Sequence, residues 1–339
     1  MPVGAYIFGC SGLKLSEVEK VFFSEVNPWG FILFSRNIES RFQVQSLTSE
    51  LRESVGRNIP ILIDQEGGRV QRMRSPHWRE FLPALEQIRV TGKNDARSMY
   101  LRSRLIAFDL REVGIDVNCI PVADILVPNT HPVLANRTYG SNVDEVVEIS
   151  RSVAQGLLDG GITPVLKHIP GYGRGIVDGH EGLPYVEEGL EILRKTDFLP
   201  FKRLADLPIG MTAHVTYTAI DSLPATISKK MIKLIREDIK FKNLLITDDI
   251  SMSALNGSIF KRAELSIKAG CDIVLHCNGQ LDEMMDVAKA CGSLNKESQK
   301  RSQLVYSKFM LSQREYFDDT DIEGLKGEFT SLMSSLSNE

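Results

Sequence analysis

Lys167 and His168 stand side by side at the end of an apolar run, TPVL, and open the stretch KHIPGYGRGIVDGHEG (167–182). Gly171, Gly173, Gly175 and Gly179 thread this stretch, and Asp178 and His180 lie two positions apart within it. Glycine permits backbone dihedrals closed to other residues and lets a loop move. In an extended segment, side chains two positions apart project to the same side. The Asp178 carboxylate can then hydrogen-bond one nitrogen of His180 and leave the other to carry a proton. Basic residues at a strand end, followed by a glycine-rich loop bearing an Asp/His pair, suit an enzyme site that opens and closes.

Asp248 and Asp249 directly follow the apolar run LLIT. Neighbouring residues at a strand end face opposite sides, so the two carboxylates should differ in role. One can face a ligand as a nucleophile toward an oxocarbenium-like sugar carbon. The other can turn outward and cap a helix through the amides of the following SMSAL segment. In IDQEGGRVQRMR (63–74), Asp64 and Arg72 flank a turn at Gly67–Gly68. They either converge on the hydroxyl groups of a small ligand or form a structural ion pair. Arg137, in NRTYG, belongs to another loop.

These residues need a frame. Eight short apolar runs recur through the first 280 residues: 5–9, 30–34, 59–64, 116–125, 162–168, 208–214, 244–249 and 272–277. Helical patterns separate them: a capping box at Ser16 and Glu19, then 38–55, 92–113, 143–161, 190–205, 228–239 and 261–270. Alternating strands and helices imply a parallel sheet, and continuous apolar runs imply strands buried on both faces. Eight units and no G-x-G-x-x-G fingerprint predict a closed (β/α)8 TIM-type barrel in one catalytic domain over 1–339. From about 295 the chain reads as a helical tail with a loose SSLSNE end. Barrel chemistry sits at the strands' C-terminal ends. Asp64, Asp124, Lys167 with His168, His214, Asp248 with Asp249, and His276 with Asn278 all fall there.

Apolar residues make up 42% of the chain and charged residues 25%, with net charge -4. That balance is ordinary for a globular protein and offers no electrostatic footprint for nucleic acid or an anionic membrane. Five cysteines, an odd number with no C-x-x-C pair, point to a reducing compartment rather than a disulfide framework. The N-terminus lacks the pattern of a signal peptide, and no apolar run is long enough to span a bilayer. A cytoplasmic location is expected.

The ordered set IDQEGGRVQR, NRTYG, KHIPGYGR…VDGHEGLP, MTAHV, ITDDISM and AGCDIVLHCN resembles glycoside hydrolase family 3. More narrowly, it is similar to the single-domain bacterial β-N-acetylglucosaminidases of peptidoglycan recycling. The resemblance implies a retaining, two-step mechanism with Asp248 as nucleophile. It implies His180 as general acid/base, paired with Asp178, and Asp64, Arg72, Arg137, Lys167 and His168 as sugar-binding residues. It also implies a small carbohydrate substrate, a GlcNAc-containing muropeptide, a monomer, and no metal or cofactor. Two positions depart from the family pattern. Tyr172 stands where P-G-H-G has histidine, and Gly179 stands where Asp-Ser-His has serine. Gly179 has no hydroxyl to bond locally and loses more entropy on ordering, so a looser loop is expected.

The residues alone leave other chemistries open. His168, Asp178, His180, His214 and Asp248 include enough donors for a metal-dependent hydrolase. Lys167 could form a Schiff base. A sugar-binding protein with weakened catalysis is a third reading, and phosphate in place of water as acceptor is a fourth.

Overall fold

The computed structural model describes residues 1–177, 179, 182–307 and 322–334. Eight parallel strands close into a barrel: Tyr6–Gly9, Gly30–Leu33, Ile61–Ile63, Val117–Asn118, Thr163–Ile169, Ile209–Thr212, Leu244–Asp249 and Ile273–His276. They pair in sequence order, and the first strand closes on the eighth through Tyr6–Val274, Ile7–Leu275 and Phe8–His276. Seven of the eight are buried along their whole length, as helix-covered parallel strands must be. The seventh is buried for four residues and emerges half-buried only at Asp248 and Asp249.

All eight apolar runs became barrel strands, but the fourth is much shorter than the 116–125 run. Its ladder stops at Asn118, and Pro121, which has no N–H to donate, follows two residues after Cys119. A single bridge between Val122 and Lys167 continues the pairing beyond it. The capping box is present: the Ser16 hydroxyl and the Glu19 carboxylate each bond the other's backbone N–H at the start of helix Glu17–Val26.

The expected helix over 190–205 is two short ones, Leu190–Lys195 and Leu199–Arg203. Pro200 lies in the first turn of the second, and buried Asp197, in the gap, bonds the Arg174 guanidinium instead of continuing a helix. Among the described residues, helices Ala84–Thr91 and Leu281–Cys291 and the single turn Pro132–Ala135 lacked a clear sequence signal. The two longer ones have no side-chain N-cap bond.

The tail contains helices Lys296–Val305 and Ile322–Ser334. The second packs on helix Asp95–Glu112, with Phe329 buried and its ring edge-on to Phe81 at 5.9 Å. The Arg97–Glu328 ion pair beside it is half exposed on both sides and adds little. All five cysteines are free and buried, and among the described residues no helix is long and apolar enough to cross a membrane.

Phe329→Ala should therefore cost about 3 kcal/mol of stability in urea unfolding, while Arg97→Ala should cost under about 1 kcal/mol. Equal and small losses would mean that the last helix does not depend on this apolar contact.

Candidate active site

A cavity of about 200 Å³ opens at the C-terminal ends of the strands. Among its lining residues are Asp64, Arg69, Arg72, Arg137, Lys167, His168 and Asp248. Six of the eight residues singled out from the sequence thus meet in one space. The other two, Asp178 and His180, lie outside the described residues.

Lys167 is the centre of the cluster. Its side chain is buried, and Nζ contacts Asp64 Oδ1 at 2.8 Å and Glu66 Oε1 at 2.7 Å. Arg137 grips Glu66 in a fork, with Nε to Oε2 at 2.9 Å and Nη2 to Oε1 at 2.8 Å. Arg72 Nη2 reaches Asp64 Oδ2 at 3.3 Å, and its guanidinium lies over the Phe34 ring. Of the alternatives for Asp64 and Arg72 the ion pair is formed, and both residues line the cavity. Arg72 Nε is a buried donor with no partner among the described residues.

Burial alone would raise the pKa of each carboxyl. For Asp64 the charges of Lys167 and Arg72 outweigh it and hold the group well below the usual range. For Glu66, Arg137 and Lys167 do the same, down to about 2. Burial would lower Lys167, but Asp64 and Glu66 overcome it and raise its pKa, so the amine stays protonated. A Schiff-base lysine needs the opposite.

His168 stands beside Lys167 on the fifth strand. Its Nδ1 contacts buried Asp124 Oδ2 at 2.7 Å, which fixes the ring, and its Nε2 lies 3.5 Å from Arg137 Nη2. Asp124 Oδ1 accepts the Tyr172 N–H at 2.6 Å. The pairing register shifts between Leu166 and Ile169 on the fifth strand and between Ile246 and Asp249 on the seventh. Such irregularities re-aim side chains, and these two fall at Lys167–His168 and at Asp248.

Both aspartates of the seventh strand line the cavity, and they differ in the bonds they make. Asp249 Oδ1 accepts the N–H groups of Ser251 and Cys277, and Oδ2 accepts the Ser251 hydroxyl. It caps a run of turns, however, because the next helix begins only at Ile259. Asp248 Oδ1 accepts the Asp249 N–H at 2.8 Å, and among the described residues Asp248 has no cation within ion-pair distance.

The loop after the third strand is shaped by its neighbours. Gln65–Gly67 pairs with Val70–Gln71 as a hairpin. Gly67 has φ +107, and Arg102 Nη2 lies 1.8 Å from where a Cβ would stand, so only glycine fits. Buried Arg102 uses that space to bond the Glu66 carbonyl, and it also bonds Gln87 Oε1 at 2.8 Å. The Gln65 side chain accepts from the N–H groups of Arg72 and Met73, which fixes where Arg72 starts.

Sequence reasoning missed Glu66 and Arg69. Glu66 lies two positions after Asp64, the spacing that shares one side of an extended segment. Arg69 follows the glycine turn, and its guanidinium donates to the Val133 carbonyl at 3.2 Å. His214 and His276, also at strand ends, do not line the cavity. His214 bonds Thr226 and the Asp249 carbonyl, and burial lowers its pKa. His276 bonds Glu283.

A closed parallel barrel with a strongly charged polar mouth is a frame for carbohydrate chemistry. A profile of the glycosyl hydrolase family 3 N-terminal domain matches residues 11–305. The chain belongs to glycosyl hydrolase family 3 and is a glycoside hydrolase. It is 36% identical over 287 residues to a beta-hexosaminidase of Alkalilimnicola ehrlichii, covering 82% of each chain. It is 32% identical over 332 residues to that of Nitrosomonas eutropha, covering 94% of each. NagZ from Neisseria gonorrhoeae, in complex with N-trifluoroacetyl-D-glucosamine, superposes with a TM-score of 0.85 at 28% identity, covering 98% of this chain and 99% of that one.

Removing the central cation should be costly. Lys167→Met leaves Asp64 and Glu66 buried without it and should lower stability by about 3–5 kcal/mol in urea unfolding. A loss under about 1 kcal/mol would contradict the cluster's role. Glu66 supplies a pH test. A carboxyl with a depressed folded pKa stabilises the fold above its unfolded value of 4.5, and that contribution is lost as pH falls toward about 2. The stability gap between wild type and Glu66→Gln should therefore be largest near pH 7 and close between pH ~4.5 and ~2. A gap constant across that range would contradict it.

Proposed function

We propose that this chain is a retaining exo-β-N-acetylglucosaminidase. It would remove terminal N-acetylglucosamine from peptidoglycan fragments of the anhydro-muropeptide type, acting as a cytoplasmic monomer. The observation that carries the reading is the division of charge in the cavity. Lys167, Arg72 and Arg137 are paired with Asp64 and Glu66, whereas Asp248, lining the same space, has no cation within ion-pair distance among the described residues. A carboxylate that no cation neutralises can compensate positive charge developing on an anomeric carbon and then bond to it. The relatives named beta-hexosaminidase and the NagZ complex with a GlcNAc analogue support the choice of sugar.

In this mechanism Asp64, Lys167, Arg72, Arg137 and His168 bind the hydroxyl groups of the terminal sugar. His180, as imidazolium, gives its proton to the glycosidic oxygen as the C1–O bond breaks. Asp248 forms the new bond at C1 from the opposite face. A free imidazole titrates near ~6.5, so Asp178 is needed to favour the protonated form and fix the tautomer. In the second step His180 takes a proton from water, and water displaces Asp248. Two inversions return the β-anomer.

The test is hydrolysis of an aryl β-N-acetylglucosaminide in EDTA, with and without inorganic phosphate, followed by proton NMR of the first-formed sugar. Wild type should release β-N-acetylglucosamine at a rate indifferent to both additions. Asp248→Asn should lose on the order of a thousandfold or more in kcat. Release of the α-anomer, or loss of activity in EDTA alone, would overturn the reading.

A further inference from the structure

The two departures from the family pattern, Tyr172 and Gly179, touch each other. The Tyr172 hydroxyl donates to the Val177 carbonyl at 2.7 Å and accepts the Gly179 N–H at 2.8 Å. Gly179 is the residue between Asp178 and His180. A single phenol thus ties the backbone on both sides of Asp178. A third bond runs from the Ala254 N–H to the Gly179 carbonyl at 3.0 Å, and Gly179 is buried. These ties counter the expectation of a looser loop. The local bond that a serine hydroxyl could make at 179 has a substitute supplied from Tyr172.

The tyrosine is itself held in place. Its N–H donates to Asp124, the carboxylate that also orients His168, and its ring meets the His168 imidazole edge-on at 5.9 Å. Gly175 leaves the ring its room, since a Cβ there would stand 2.4 and 2.6 Å from two ring carbons. At Gly179 a Cβ would press on the end of the Met252 side chain at 2.8 Å, and Met252 lines the cavity. Histidine, the family's usual residue at 172, has a shorter side chain and cannot place its polar tip where the phenol oxygen is.

We propose that Tyr172 is a positioning residue for the proton-transfer loop, clamping Val177 and Gly179 and linking that loop to the sugar-binding end of the fifth strand. The proposal rests on the reading of Asp178 and His180 as the acid/base pair. It assigns Tyr172 no proton of the reaction. Its effect is to hold the backbone that carries the pair.

A clamp on the acid differs in its kinetics from a prop for the fold. Substrates with poor leaving groups need the proton, whereas activated aryl glycosides scarcely do. Tyr172→Phe keeps the ring and deletes both bonds. Its kcat/KM on a poor leaving group, which reports the first step alone, should fall roughly tenfold to a hundredfold relative to its kcat/KM on a dinitrophenyl glycoside. Gly175→Ala, which displaces the ring but leaves the phenol, should show the same selectivity. His180→Ala is measured in parallel. If its loss is selective for poor leaving groups and that of Tyr172→Phe is uniform or absent, the clamp is wrong and the acid/base reading stands. If the loss in His180→Ala is itself unselective, both fall.

Discussion

The two contacts of the Lys167 ammonium, to Asp64 and to Glu66, are the interaction on which the mouth of the barrel depends. They join the end of the fifth strand to the loop after the third. Burying one cation and two carboxylates costs several kcal/mol per ion unless each charge is met and its remaining valences are bonded. The surroundings read as answers to that demand. Arg137 forks onto Glu66, Arg72 meets Asp64, and Arg102 comes through the space of a missing side chain at Gly67 to hold the Glu66 carbonyl. Arg102 in turn lies over Phe81, and Phe81 receives Phe329 from the last helix. Packing contacts thus run without a break from the C-terminal helix to the charged cavity.

The same arithmetic shapes the chemistry. Cations committed to Asp64 and Glu66 stay protonated and fixed, so they can present hydrogen bonds to hydroxyl groups with little reorganisation. Asp248 and Asp249, adjacent in sequence, are separated by their bonds. Both line the cavity, but Asp249 spends both oxygens on Ser251 and Cys277, whereas Asp248 accepts one backbone N–H. Local backbone geometry, not residue type, makes the two carboxylates different.

Most of the frame was legible because it follows from periodicity. Every apolar run became a barrel strand, and the Ser16 cap formed as its spacing predicts. The failures have local causes. Pro121 cuts the fourth strand's ladder, and Pro200 with the Asp197–Arg174 pair splits the expected helix at 190–205. The site was legible as a set of strand-end polar residues but not as a network. Which carboxylate meets which cation depends on side chains far apart in sequence, such as Arg102 and Gly67. For that reason Glu66 passed unnoticed, and Asp124 was not distinguished from a rim residue although it supports His168 from beneath. Tyr172 looked like a blemish in a motif because its partners, Val177 and Gly179, declare themselves only in three dimensions.

The most direct test of the account is the covalent bond it assigns to Asp248. Wild-type enzyme is acid-quenched during steady-state turnover of a dinitrophenyl β-N-acetylglucosaminide, digested and mapped by mass spectrometry. One N-acetylhexosaminyl group should be found, on the peptide containing Asp248 and on that carboxylate, and it should be absent from Asp248→Asn. Turnover with no adduct on any peptide, or an adduct on a different residue, would contradict it.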